Sequence, residues 1–146
     1  MICEKEIIQY VLKNAKVTRI AMSINDEPYI VPMNYGYDKN CLYLHTGDFG
    51  KKIDILNQNN KICFEMDINH ELVKSDRACK WSMKFLSVIG FGNAIFLEDK
   101  YQKLEALKLL MNHYSNDINY EFDEEEINKV NIIKVMIDSI TAREKT

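Results

Sequence analysis

The chain has 146 residues, 47% hydrophobic and 28% charged, which suits one domain, residues 1–146, with enough apolar material for a core. Nineteen basic against 22 acidic side chains give a net charge of −3, without the basic surplus of a general nucleic-acid binder. No run approaches the roughly 20 apolar residues of a membrane span, and Met1 to Glu6 lacks the basic and apolar stretches of an export signal, so the expected location is cytoplasmic, with neither nucleic acid nor membrane as partner.

Ile7, Ile8, Val11, Leu12 and Ala15 recur at helical spacing and predict a first helix over residues 4–15. Val17 to Ile24 and Tyr29 to Tyr37 read as strands joined by a turn at Asn25-Asp26-Glu27-Pro28, and a third strand runs from Cys41 to Thr46. Three short strands with two tight connections make an antiparallel meander. Pro32, unable to donate to a ladder, marks its strand as an edge or a bulge. Beyond Gly47 to Gly50, Ile53, Ile55 and Leu56 belong to a short helix that stops at Asn57 to Asn60. Residues 61–68 form a fourth strand, 69–80 a polar connection, and 83–97 a long strand whose Gly90 and Gly92 predict a bulge or a close backbone approach. Asp99-x-x-Gln102 and Asp123-x-x-Glu126 are helix-start boxes, and Ile133, Val135 and Ile137 alternate in a last strand. About six strands and three or four helices without βαβ alternation exclude a doubly wound sheet. They fit a mainly β fold, a bent antiparallel sheet or small barrel with peripheral helices.

The cysteines at 3, 41, 63 and 79 contain no C-x-x-C pair, so no structural zinc site is expected and they read as reduced thiols. Three widely spaced histidines give no metal-ligand pattern. Gly90-Phe91-Gly92 lacks the third glycine of a dinucleotide fingerprint and lies within a strand. Phosphate-loop and nucleophile-elbow signatures are missing as well.

Three segments remain. His45-Thr46-Gly47-Asp48-Phe49-Gly50-Lys51-Lys52 joins a strand to a helix, where unpaired N–H groups attract phosphate; Thr46 adds a hydroxyl and Lys51 or Lys52 the charge. The same residues also fit a plain cap, by Asp48 or Thr46, with solvated lysines. In Pro32-Met33-Asn34-Tyr35 the proline leaves backbone groups unpaired, and Asn34 offers both donor and acceptor to a flat ligand; an ordinary edge strand is the alternative. Ser87-Val88-Ile89-Gly90-Phe91-Gly92 is a barrel strand bending at glycine, and Trp81, Phe85 and Phe91 either line an aromatic pocket or pack in the core. His45 carries an imidazole, a group that trades protons near neutral pH, or it bonds a carbonyl and does nothing else. His70 and His113 read as surface.

In order and spacing these segments resemble the pyridoxamine 5′-phosphate oxidase-like FMN-binding split barrels, most of all the branch of the 5-nitroimidazole resistance (Nim-type) proteins. The resemblance is carried by Pro28-Tyr29-Ile30-Val31-Pro32-Met33-Asn34-Tyr35, Leu42-Tyr43-Leu44-His45-Thr46, Gly50-Lys51-Lys52-Ile53-Asp54-Ile55-Leu56, Lys61-Ile62-Cys63-Phe64-Glu65 and Ser87-Val88-Ile89-Gly90-Phe91-Gly92-Asn93-Ala94. It implies a six-stranded antiparallel split barrel and a homodimer with one FMN per subunit at the subunit interface. It further implies that Pro32, Met33, Asn34 and Tyr35 lie along the isoalloxazine and ribityl portions, that Thr46, Lys51 and Lys52 hold the phosphate, that Ser87 and Val88 line the ring site, and that His45 faces flavin and substrate. Lys51 stands where the family usually has arginine, which keeps the charge and loses the bidentate fork; Phe85 stands where tyrosine is common. The C-terminal Arg- and Trp-containing segment of true pyridoxamine phosphate oxidases has no counterpart before Thr146, so vitamin B6 oxidation is not expected. The implied activity is an FMN-dependent oxidoreductase passing electrons from a protein donor, NADH or NADPH to a small flat acceptor such as a nitroaromatic. The alternatives are a non-catalytic FMN carrier or sensor, and a structural dimer without flavin.

Overall fold

The computed structural model describes residues 3–116 and 119–146. Helix α1 (Glu4–Asn14) buries Ile7, Val11 and Leu12, the stripe its spacing predicts. Strands β1 (Thr18–Ile24) and β2 (Glu27–Met33) follow, paired from Thr18–Met33 to Ile24–Glu27. Asn25 and Asp26, at φ 51° and 64°, form the two-residue turn with both residues left-handed that matches strand twist. Glu27 and Pro28, predicted as turn, are therefore strand.

The predicted strand 29–37 is broken at Asn34-Tyr35, so β3 (Gly36–Asp38) is a separate element, and Lys39-Asn40 turns the chain into β4 (Cys41–Thr46) in the same manner. Next come α2 (Lys51–Gln58), β5 (Lys61–Val73), a 3-10 turn (Ala78–Lys80) and β6 (Ser82–Leu97). The chain closes with α3 (Lys100–Tyr114), α4 (Glu124–Lys129) and β7 (Asn131–Lys145). Both helix-start boxes form: Asp99 accepts from the Gln102 N–H at 3.0 Å, and Asp123 and Glu126 cap one another reciprocally.

All seven strands lie in one antiparallel sheet in the order β2-β1-β5-β6-β7-β4-β3. This corrects the expected six-stranded barrel twice. The count rises because β3 splits off, and the sheet stays open. Edge strand β2 carries Pro28 and Pro32, which have no N–H for a further strand, and edge strand β3 is three residues long. The connection predicted over 69–80 is also shorter, since β5 continues through the cross-strand pairs Glu71–Lys84 and Leu72–Met83 after a bulge at Ile68/Glu71.

The core lies on the inward face, with Ile20, Met22, Tyr35, Leu42, Leu44, Phe64, Met66, Val88, Ile133 and Val135 packed under α1 and α2. Gly90 and Gly92 are required by closeness: a Cβ at Gly90 would lie 2.2 Å from the Phe64 ring, and one at Gly92 2.3 Å from the Met136 carbonyl oxygen. The β6–β7 register shifts between Phe91 and Gly92, the predicted bulge. Among the described residues no helix is long and apolar enough to cross a membrane.

Candidate functional site

Alternation along β4 sends Leu42, Leu44 and Thr46 inward and Cys41, Tyr43 and His45 outward. Thr46 is buried and His45 exposed. The chain then runs through Gly47 to Gly50 into α2, whose Ile53, Ile55 and Leu56 seat it in the core. The residue preceding the helix is Gly50, at φ 141°, and no side chain caps the first turn. The alternative of an Asp48 or Thr46 cap is thus not realised, and the leading N–H groups are left to another acceptor. A Cβ at Gly47 or Gly50 would meet nothing within 4 Å, so the corner is open. Lys51 reaches Glu27 Oε1 at 3.5 Å and lies over the Tyr29 ring, 4.8 Å from its centre; the start of α2 therefore abuts the start of β2. Lys52 is half-buried beside it. A positive helix end, a threonine and two ammonium groups around an open corner suit a phosphomonoester.

Alternation on β2 divides the second segment. Pro32 and Asn34 are exposed, while Met33 and Tyr35 are buried. The Tyr35 hydroxyl donates to the carbonyls of Leu12 and Ala15, at 2.7 and 3.1 Å, and its N–H donates to the Tyr114 hydroxyl at 3.0 Å. Burial pushes the Tyr35 hydroxyl above its ordinary range, so it remains a donor. His113, read from sequence as surface, is half-buried against the Tyr35 ring at 4.4 Å and bonds the Ala15 carbonyl at 2.6 Å. Burial lowers its pKa, and the carbonyl fixes the proton on Nε2. Val88 is buried too. The side chains of Met33, Tyr35 and Val88 are thus core, and these three residues have only their backbone to offer a ligand.

Ser87 faces outward and lines a cavity of about 510 Å³ with Glu65, Asp67, His70, Phe85 and Arg143. Trp81 and Phe91 do not join Phe85 there. The Arg19 guanidinium reaches Glu65 at 3.3 Å and Asp67 at 3.2 Å, and His70 pairs with Asp67 from β5 itself. Burial, reinforced by the Asp67 carboxyl, pushes Glu65 up to about 7, while its bond with Glu65 holds Asp67 below the usual carboxylate range. Sequence reasoning missed this ionic group. Its signal was the alternation of Glu65 and Asp67 on one face of a strand, but their partner Arg19 is 46 residues from Glu65.

The two ends are far apart in one chain. His45 pairs with Ile132, which pairs with Leu97. Ser87 is ten residues before Leu97 on the same strand, roughly 33 Å along it. Between them β6 exposes Ile89, Phe91 and Ile95 beside the Asn93–Asp138 hydrogen bond, and Ile30 of β2, 59% exposed, lies level with Phe91 across the sheet.

A family profile described as pyridoxamine 5′-phosphate oxidase matches residues 4–144. The chain belongs to that family. Among solved structures, a candidate 5-nitroimidazole antibiotic resistance protein from Bacteroides thetaiotaomicron is 33% identical, with a TM-score of 0.85 over 97% of this chain and 84% of that one. The flavocytochrome Anf3 from Azotobacter vinelandii has a TM-score of 0.85 at 18% identity, over 98% of this chain and 68% of that one. An FAD-binding protein from Mesorhizobium loti has a TM-score of 0.70 at 23% identity, over 99% and 96%; at such identities the likeness is one of fold. No curated protein sequence matches significantly. Among the described residues no three His, Cys, Asp or Glu side chains are grouped to hold a metal ion.

Proposed function

We propose that this pyridoxamine 5′-phosphate oxidase-family member binds FMN at the interface of a homodimer and reduces a small flat acceptor of the nitroaromatic class, with NADH or NADPH as donor. The observation that carries the reading is the open corner at α2, with Gly50 leading an uncapped helix and Thr46, Lys51 and Lys52 around it. That donor set fits one terminal phosphate. The 33% identical relative described as a nitroimidazole resistance protein supports the acceptor class.

In this reading the first N–H groups of α2, the Thr46 hydroxyl and the two lysines hold the phosphate. The backbone from Pro32 to Tyr35 and the Asn34 amide lie along the polar edge of the ring. The bound flavin supplies the electron transfer that no side chain provides. His45, outward and exposed beside Thr46, is the side chain placed to pass a proton to the acceptor.

A second copy is needed because Ser87 stands so far along β6 from His45. Stacking two outward faces covers Ile30 and Phe91, whose exposure marks a contact surface, and brings the partner's Ser87 and the backbone at the partner's Val88 toward the ring.

An absorbance spectrum tests the proposal. Purified protein mixed with FMN is expected to turn yellow, to be bleached by NADH or NADPH, and to recover on adding a 5-nitroimidazole. Protein that stays colourless with FMN overturns the reading, and yellow protein inert to every donor and acceptor converts it to a carrier or sensor.

A further inference from the structure

The β5–β6 hairpin continues beyond its neighbours. β1 pairs with β5 only over Cys63–Glu65, and β7 meets β6 only from Phe85 onward, yet the hairpin stays paired through Glu71–Lys84, Leu72–Met83 and Val73–Ser82. The result is a two-stranded arm. Its tip exposes Leu72, Met83 and Trp81, the last 48% exposed, and Trp81 is held in place by its indole N–H, which donates to the Ser75 carbonyl at 2.6 Å. Between residues 74 and 84 the arm carries Lys74, Arg77, Lys80 and Lys84 against one acid, Asp76. Two strands alone are marginal in water, and an apolar tip with an excess of basic side chains suits a surface of the opposite sign.

That opposite sign lies on the same chain. Residues 121–126 hold Glu121, Asp123, Glu124, Glu125 and Glu126. Lys100 pairs with Glu124, and Lys129 lies 2.7 Å from Glu125; five acids less two bases leave a local charge of −3. This segment sits at the His45 end of the sheet, where α4 leads directly into β7 and Asn131 pairs with Thr46.

We propose that in the face-to-face pair the arm of each copy docks on the α3–α4 end of the other, its basic tip against residues 121–126 and Trp81 beside Tyr101. The inference rests on the shared-site reading above and follows from counting along β6. With the two β6 strands antiparallel and the two-fold axis level with Phe91, equal counts on either side face one another. The partner's Ser87, four residues before Phe91, then lies opposite Ile95, in the row Ile95–Lys134–Tyr43 next to His45. Phe85, six residues before Phe91, lies opposite Leu97, six after it, where β6 ends; the arm beyond Phe85 then overhangs the partner's α3, whose first turn presents Tyr101, 77% exposed, next to the Lys100–Glu124 pair. One registration thus brings together the separated halves of the site and the two opposite charge clusters.

Trp81 is the chain's single tryptophan, so its emission reports the dock directly. The full chain and three variants are compared: R77E/K80E in the arm, E121K/E125K at the helical end, and all four together. Sedimentation over a dilution series and acrylamide quenching are read on each, with FMN uptake measured by absorbance in the same samples. Either double variant is expected to raise the dimer dissociation constant tenfold or more and to make Trp81 more quenchable; the quadruple variant recovers most of both. Double variants that change neither quantity, effects that merely add in the quadruple variant, or a native protein that sediments as a monomer overturn the dock. A charge-sensitive dimer that takes up no FMN keeps the dock and removes the flavin reading, whereas a yellow dimer indifferent to both reversals does the opposite.

Discussion

Lys51 and Lys52 divide the positive charge of the α2 corner unequally. Lys51 is drawn toward Glu27 and Tyr29, while Lys52 is half-buried against the helix start. A charged hydrogen bond contributes about 1.5–3 kcal/mol, with exposure reducing it, so K51A/K52A is expected to weaken FMN binding at least tenfold in a fluorescence titration; an unchanged Kd would remove the phosphate from this corner. Glu65 gives a second prediction, on stability. Its folded pKa is raised to about 7 by burial and by Asp67, so the native state keeps a proton that the unfolded chain releases in the ordinary glutamate range. Its contribution is present in full below that range and is lost as pH rises through about 7. Urea midpoints of the native protein should therefore carry a downward component between pH 5 and 8 that E65Q lacks; parallel pH profiles for the two proteins would refute it. At this scale the sequence was legible where a residue's chemistry is local. Thr46 ends β4 and the lysines open α2, as their spacing predicts, whereas Asn34 falls in the break between β2 and β3, and the inward turn of Met33, Tyr35 and Val88 depended on which side of each strand the core would occupy.

The elements were legible in proportion to the contrast of their patterns. Both helix-start boxes, the α1 stripe and the glycine bulge in β6 were readable because each is set within a few residues. The far half of β5 was not, since Asn69-His70 reads as loop and bulges out of the ladder, and the strand resumes only through cross-strand pairs with β6 from Glu71 onward. The far half of β7 runs to Lys145 for the same reason, laddered along β6 up to Phe85–Lys145. Gly92 tests how tightly this long pairing is built. A methyl group there would press on the Met136 carbonyl oxygen, a backbone atom that cannot swing aside. G92A is expected to cost about 1–3 kcal/mol, read as a lower urea midpoint at constant m-value; full stability would mean that the bulge relaxes without cost.

For the whole molecule, the proposed site makes assembly part of function, because His45 and Ser87 are separated along β6. F91E places a carboxylate among the exposed Ile89, Phe91 and Ile95 positions of β6, so the variant is expected to sediment as a monomer and to bind FMN at least tenfold more weakly, although residue 91 is not assigned to the flavin. A monomer that binds FMN with native affinity would show that one chain suffices. The length of β6 was legible as residues 83–97, but each segment looks like part of one pocket until the pairing of β4 with β7 and of β7 with β6 sets His45 level with the far end of that strand, a register that no local pattern carries.

The prolines of β2 add a last consequence. A rim strand with two missing donors gives a stray polypeptide a poor template for zipping on, and the opposite rim is too brief to serve as one. Growth into fibres by strand addition is thereby discouraged at both borders, which confines self-association to broad surfaces, where a two-fold pair closes on itself and stops.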